Sequence, residues 1–245
     1  MDAARVAEVV IRAPIPRLHT ALSADAARYL VRVLRLRPGG RFIAFDPDTK
    51  TEADAVLVDD RTITIENVRP ASVVAQRELV LVYCLAKGDK VDDVVRDATE
   101  LGASRVIVAR AARSVVKADA ERAQAKRGRW ERIAEQAARQ CGRGDVPAIE
   151  GVLDWEQALG RASCDARFVL DPHASEPLGP LLATSVASHA SVSFAIGPEG
   201  GLAPPELAAA QSLGWVPASL GPFVLRTETV AAAVLGAAVI LAGRP

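Results

Sequence analysis

Two stretches in the C-terminal third combine residue types that do chemistry. The first is Ile196-Gly197-Pro198-Glu199-Gly200-Gly201, three glycines and a proline directly after an apolar run. Glycine permits close backbone approach to a ligand and positive φ, so this loop could cradle a ligand with its amides. A tight connection holding no ligand would use the same residues. The dinucleotide fingerprint GxGxxG and the phosphate loop GxxxxGK followed by Ser or Thr are both missing. The second stretch, Leu220-Gly221-Pro222-Phe223-Val224-Leu225-Arg226-Thr227-Glu228-Thr229, delivers Arg, Thr, Glu and Thr onto a segment of Ala, Val, Leu and Ile. A helix that is apolar all round must be buried on more than one side. Arg226 and Glu228 therefore stand at the edge of a buried region, where charge is costly unless paired or used. Either they form a capping acid and its ion-pair partner, or they act on a ligand.

The elements that must hold these loops follow from periodicity. From Leu79 the pattern alternates between strand and helix. Strands are expected at Leu79–Ala86, Arg105–Arg110, Phe168–Leu170, Val192–Ile196 and Trp215–Leu220. Helices are expected at Lys90–Leu101, Ala120–Gln140, Leu178–Ala187, Pro204–Leu213 and Thr227–Leu241. This alternation implies a parallel sheet with helices on both faces. Ligands of such sheets sit at the carboxyl ends of the strands, so the loops after Leu170, Ile196 and Leu220 are the informative ones. Before Ala75 the chain reads as strands, at Val6–Ile11, Arg41–Asp46, Thr51–Val58 and Thr62–Val68. One helix, Ser23–Leu34, interrupts them, with Ser23 as its N-cap. That is a small β-rich domain, expected to close as a short barrel, with Arg69–Gln76 as linker.

Composition bounds the function. The 245 residues are 50% hydrophobic and 24% charged, an ordinary globular balance that fits two modest domains. Aromatics make up only 4%, so base stacking on aromatic platforms cannot be the main binding mode. The 30 basic and 30 acidic residues cancel, but unevenly along the chain. Arg12–Arg41 carries seven arginines against one acid, Asp25, and Arg110–Asp145 carries ten basic residues against five acids. Clustered Arg is the footprint of phosphate-backbone binding, although two solvated Arg-rich helices would look the same. Cys84, Cys141 and Cys164 are odd in number and lack any CxxC, which argues for a reduced, cytoplasmic setting and against a disulfide framework or zinc site. His19, His173 and His189 form no spaced pair, so no metal is expected. The first residues carry Asp2, Arg5, Glu8 and Arg12, and no secretory leader is expected. The uncharged run after Glu228 is fifteen residues, short of the roughly 20 a membrane span needs.

IGPEGGL at Ile196–Leu202 followed by LGPFVLRTETVA at Leu220–Ala231 resembles the signature of the RsmE family. These are 16S rRNA (uracil-N3)-methyltransferases of the SPOUT superfamily that use S-adenosylmethionine. Supporting matches are YLVRVLRLRPGG at Tyr29–Gly40, LAKGDKVDDVVRDATELGASRV at Leu85–Val106, RSVVK at Arg113–Lys117, RW at Arg129–Trp130 and QCGRGDVP at Gln140–Pro147. Three features depart from the family pattern: Asp97 stands where Lys is usual, Arg139 stands where an acid is frequent, and Arg5–His19 lacks the usual basic–aromatic character. An Asp97–Arg139 ion pair would explain the first two.

The resemblance implies an α/β protein of two domains. Residues 1–73 would form a PUA-like RNA-binding β-barrel, and residues 74–245 a SPOUT methyltransferase domain with a trefoil knot. It implies a homodimer and a cofactor site in the loops Leu170–His173, Ile196–Gly201 and Leu220–Arg226. The expected cofactor residues are Leu170, Ile196, Gly197, Pro198, Glu199, Gly200, Gly201, Leu220, Gly221, Val224 and Leu225. Arg226 is the expected catalytic residue, stabilising negative charge on uracil oxygens as N3 loses its proton. Glu228, with Glu199 as the alternative, is the candidate general base. Arg32, Arg35, Arg113 and Lys117 are the expected phosphate contacts to 16S rRNA within the small ribosomal subunit. Two other readings remain open at this level: a knotted methyltransferase acting on tRNA or a ribose hydroxyl, and a non-catalytic RNA-binding protein of the same fold.

Overall fold

The computed structural model describes residues 11–86, 88–114, 120–188 and 190–243, without side chains at 120–124. Most of the expected Val6–Ile11 strand, Lys117 and His189 lie outside the described residues. The chain separates into two compact units, Met1–Val74 with Ala138–Val146, and Ala75–Ala137 with Pro147–Pro245.

In the first unit, strands β1 (Arg12–Pro14), β2 (Arg41–Asp46), β3 (Thr51–Leu57) and β4 (Ile63–Pro70) form a sheet in sequence order. β1 runs parallel to β2, and the other pairs are antiparallel. The β2–β3 turn is held by Asp46, which accepts from the Asp48 amide at 3.2 Å and the Thr49 hydroxyl at 2.7 Å. Ala13, Phe42, Ala44, Ala55, Leu57 and Ile63 turn their side chains to one core, closed by Ala26 and Leu30. Those two come from helix α1 (Ala24–Ala27) and the wider turns that continue it through Val33. Ser23 caps this helix as expected, its Oγ accepting from the Ala26 amide at 3.2 Å. The helix does not stay regular to Leu34: the Leu34 amide reaches back five residues to the Tyr29 carbonyl, at 2.9 Å.

Glu52 is a buried charge at the heart of this sheet. Its carboxylate accepts from Arg12 Nη2 at 2.9 Å and Arg69 Nε at 3.1 Å. Burial pushes its pKa up, but the Arg12 hydrogen bond and charge, with Ser72 and Arg69, outweigh burial and hold it below the ordinary value. A depressed carboxyl pKa contributes stability above the unfolded value, about 4.3, and loses it as pH falls through the folded one. Glu52→Gln is therefore expected to cost about 1.5–3 kcal/mol at pH 7, with the deficit shrinking below about pH 4. Hydrogen exchange of the β2–β4 amides at the two pH values checks this.

The QCGRGDVP segment packs with the first unit. The Gly144 amide donates to Val73 O at 2.7 Å, and a Cβ at Gly144 would come 2.3 Å from that of Ala71, so only glycine fits. Arg143 and Asp145, both buried, form a two-bonded pair at 2.8 and 3.0 Å. Arg139 lies over the Tyr29 ring, 4.2 Å from its centroid. Asp97, on the second unit, pairs with Arg96 at 2.8 Å. Arg139 and Asp97, two of the three departures from the family pattern, thus each have a neighbour in their own unit, and neither needs the anticipated Asp97–Arg139 pair.

The second unit is a six-stranded, all-parallel sheet in the order β10-β8-β9-β5-β6-β7. Its elements are β5 (Leu79–Cys84), α2 (Lys90–Glu100), β6 (Arg105–Arg110), α3 (Ala120–Cys141), β7 (Ala148–Asp154) and α4 (Trp155–Arg161), followed by β8 (Ala166–Leu170), α5 (Leu178–Ala187), β9 (Val192–Ile196), α6 (Pro204–Ser212), β10 (Val216–Ala218) and α7 (Thr227–Ala242). The central strands β5 and β9 are buried at every residue, which is why they read as continuous apolar runs. Trp155, Leu159, Ala210 and Trp215 cover one face through Val80, Val82, Ile107, Val169 and Ala195. β7 and α4 were not expected from periodicity. Gly151 and the acids Glu150 and Asp154 interrupt the apolar pattern of an edge strand whose ladder is itself irregular opposite Ile107–Ala109.

α7 buries one stripe, Ala231, Val234, Leu235 and Ala238, at helical spacing. Its other side is not covered within the chain: Val239, Ile240 and Leu241 are exposed. Among the described residues no helix is long and apolar enough to cross a membrane.

Candidate active site

β10, β8 and β9 are neighbours, so their carboxyl ends bring the loops after Leu170, Ile196 and Ala218 to one edge. Between them lies a cavity of about 740 Å³, the size of an ordinary small-molecule site. All eleven expected cofactor residues line it: Leu170, Ile196, Gly197, Pro198, Glu199, Gly200, Gly201, Leu220, Gly221, Val224 and Leu225. Arg226 lines it as well. His173, on the first loop, is exposed, and its amide donates to Asp171 Oδ1 at 3.0 Å, a local turn.

The glycine loop is built from both ends. Ile196, Gly197 and Pro198 are buried, and a Cβ on Gly197 would come 2.8 Å from Leu202 Cγ. Where the loop enters α6, Glu206 accepts from the Ala203 amide at 2.8 Å and from the Ala112 amide at 2.6 Å. One carboxylate thus caps the helix and ties the loop to the segment after β6. Arg113 adds a second tie, donating to Gly200 O at 2.9 Å. Arg113, expected at the RNA phosphates, therefore stands in the cavity wall.

Glu228, in the first turn of α7, belongs to a polar chain. Lys90 Nζ lies 3.2 Å from Glu199 Oε1 and 3.3 Å from Glu228 Oε2, bridging the glycine loop and α7. The Thr227 hydroxyl donates to Glu228 at 3.3 Å and lies 2.8 Å from the Tyr83 hydroxyl, which comes up from β5. Burial raises the Glu228 pKa, but its own amide and Lys90 outweigh burial and hold it below the usual range. Lys90 is raised, first by the Glu199 hydrogen bond. Burial above all, with the charges of Glu228 and Glu199 adding to it, pushes Tyr83 up to about 12. At neutral pH Glu228 is therefore a carboxylate, Lys90 an ammonium and Tyr83 a protonated phenol.

Arg226 differs from all of these. It is the residue before α7, in extended conformation, and its guanidinium has no hydrogen bond or ion pair among the described residues. Of the two sequence alternatives, Glu228 takes the helix-start acid with Lys90 as its partner, and Arg226 is left facing the cavity. Periodicity gave no reason to single out Lys90 or Tyr83. The signal for Tyr83 was a hydroxyl inside an otherwise apolar strand; for Lys90 there was none.

The first unit has a cavity of its own, about 560 Å³, lined by Arg28, Arg32 and Arg61 together with Asp60, Leu22 and Val31. Arg32 belongs to it. Arg35 is exposed, with φ 54.

Residues 22–66 match the PUA domain of RNA methyltransferases, and residues 74–239 match the RNA methyltransferase domain. The chain is 34% identical over 227 residues to the ribosomal RNA small subunit methyltransferase E of Mycobacterium bovis, covering 90% of this chain and 86% of that one. To the enzyme of that name from Bacillus subtilis it is 32% identical over 216 residues, covering 85% and 84%. The crystal structure of a ribosomal RNA small subunit methyltransferase E from Neisseria gonorrhoeae bound to S-adenosyl methionine superposes with a TM-score of 0.82 at 25% identity, over 93% of this chain and 96% of that one. Fold and sequence together define an RNA methyltransferase of the α/β, SPOUT class with a small PUA-like domain before it. The chain belongs to the ribosomal RNA small subunit methyltransferase E family.

Proposed function

We propose that this protein methylates N3 of a uridine in the decoding region of 16S rRNA, with S-adenosylmethionine as methyl donor, as a cytoplasmic homodimer. The observation that carries the reading is Arg226, a guanidinium without a partner among the described residues, on the rim of a cavity otherwise built for a cofactor.

The residues present fit that cofactor. Ile196, Leu220 and Leu225 offer apolar contact to an adenine and a thioether, and the side-chain-free backbone at Gly197, Gly200 and Gly201 offers amides and carbonyls. When bound, S-adenosylmethionine supplies an electrophilic methyl group on a sulfonium. Arg226, exposed at the cavity mouth, meets the negative charge that spreads onto the uracil oxygens as N3 gives up its proton to water. Glu228 has its proton affinity lowered and its carboxylate held by Lys90 and Thr227. This supports a role in fixing the start of α7, and hence Arg226, over one as general base. Arg28, Arg32 and Arg61 of the first unit, with Arg35, offer positive charge to the phosphate backbone, as Lys117 does by its place in the sequence. The uncovered side of α7 at Val239, Ile240 and Leu241 is the surface for a second copy.

Nucleoside mass spectrometry and primer extension on 16S rRNA from cells lacking the protein test the reading. N3-methyluridine is expected to vanish and to return with the wild-type gene. Persistence of the mark in the deletion strain would move the search to tRNA or to a ribose hydroxyl.

A further inference from the structure

The chain has five Phe, three Trp and two Tyr. Phe42, Phe45, Phe168, Phe194, Trp130, Trp155, Trp215 and Tyr83 are all buried, and Tyr29 is half-buried beside Arg139. The tenth aromatic, Phe223, is 78% exposed. It lies on the Leu220–Arg226 loop, three residues before Arg226, and both line the same cavity. A bare phenyl ring in water forgoes the large area that an aromatic side chain gains on burial. The surface proposed above for a second copy lies elsewhere, on the far part of α7. The uncovered aliphatic end of α7 at Ile240 lies about 20 Å along the helix from Thr227, at 1.5 Å per residue, whereas Phe223 precedes the helix on the cavity side.

We propose that Phe223 is the platform on which the target base stacks while Arg226 meets its oxygens. The proposal rests on the reading of the protein as a methyltransferase acting on a base in RNA. A base must leave its own stack to reach the cavity, and a planar, uncharged ring at the mouth replaces part of the stacking it gives up. One ring suits one base. It is also what a chain so poor in aromatics can spare, with phosphate contacts supplying the rest of the affinity.

The test uses the full chain with Phe223→Ala, Phe223→Leu, Phe223→Tyr and Phe223→Trp. Small ribosomal subunits from the deletion strain serve as substrate. Stacking on an aromatic is worth ~1–3 kcal/mol per base by alanine substitution, about 5- to 150-fold. Phe223→Ala and Phe223→Leu are expected to lower kcat/KM for the subunit by that factor, mostly through KM, and Phe223→Tyr and Phe223→Trp to retain most of it. Affinity for S-adenosylmethionine and the sedimentation coefficient are expected to hold in all four. The Phe223→Trp indole would be the one exposed tryptophan, so protein-free 16S rRNA is expected to quench its emission. Rescue by Leu as good as by Tyr, a changed sedimentation coefficient in Phe223→Ala, or unquenched emission would each overturn the proposal. Quenching needs no methyl transfer, so it decides this proposal even if the wild type leaves the subunit unmethylated, the result that would defeat the functional reading.

Discussion

Arg226→Ala is expected to slow methyl transfer to small-subunit rRNA by about a hundredfold to a thousandfold while leaving the fold intact. The magnitude is that of a single preorganised donor facing developing negative charge, ~3 kcal/mol. Arg226 is exposed and without a hydrogen-bond or ion-pair partner among the described residues, so its removal breaks no structural pair. An exposed substitution of this kind costs within about 0.5 kcal/mol of stability. Single-turnover rates with saturating cofactor and small subunits isolate the chemical step. Calorimetric affinity for S-adenosylmethionine should stay close to wild type, because the lost interaction belongs to the base. Arg226→Lys is expected to recover only part of the rate, since an ammonium cannot present a planar fork to a delocalised anion. A single-turnover rate for Arg226→Ala within threefold of wild type would remove Arg226 from the mechanism.

Gly197→Val is expected to weaken cofactor binding by about a hundredfold, and Gly197→Ala by about tenfold. Gly197 leaves the end of β9, whose register is held by both β5 and β8. A Cβ there would stand 2.8 Å from Leu202 Cγ and 3.0 Å from its Cδ2. Leu202 is packed against the core that contains Trp155 and Trp215, so it has little room to retreat. With the strand pinned and Leu202 pinned, the strain passes to the loop and its amides. Overpacking of this order costs about 1–3 kcal/mol, and here it is expected to appear as lost affinity more than as lost stability. Titration calorimetry, with thermal melting of the free protein beside it, separates the two. Gly160→Ala is the control: nothing lies within 4 Å of a Cβ at Gly160, on the exposed side of α4. A cofactor affinity for Gly197→Val within threefold of wild type would mean that the loop does not hold the ligand through its backbone.

Much of the second unit was legible residue by residue. β5 and β9 are apolar runs of strand length because both their faces are covered. α2 follows apolar periodicity, α7 is an unbroken apolar run of helix length, and the three loops announce themselves by glycine and proline. β7 and α4 escaped because an edge strand with Gly151, Glu150 and Asp154 need not alternate, and because α4 is only seven residues long, too short for its buried Trp155, Ala158 and Leu159 to show a period. In the first unit, the cap at Ser23 was readable, but the widening of the helix after Ala27 was not. It depends on where Tyr29 and Leu30 must sit over the sheet.

By itself the sequence determined the elements that depend on near neighbours: strand runs, helix faces, the Ser23 cap, the glycine loop and the charged start of α7. Its motifs carried the family as well. Only the tertiary structure decided which loops share a cavity, because the order β10-β8-β9 is a matter of long-range pairing that no local pattern encodes. The same holds for Lys90, which is ordinary as the first residue of a helix and acquires its role only when folding sets Glu199 and Glu228 within 3.3 Å of one ammonium. It holds too for Arg113, whose bond to a carbonyl of the glycine loop its charge did not announce, and for Phe223, whose exposure shows only once the other aromatic rings have found their places in the packing. The physical reason is common to all three. Charge and apolar area are properties of a residue, whereas partner and burial are properties of the packing around it.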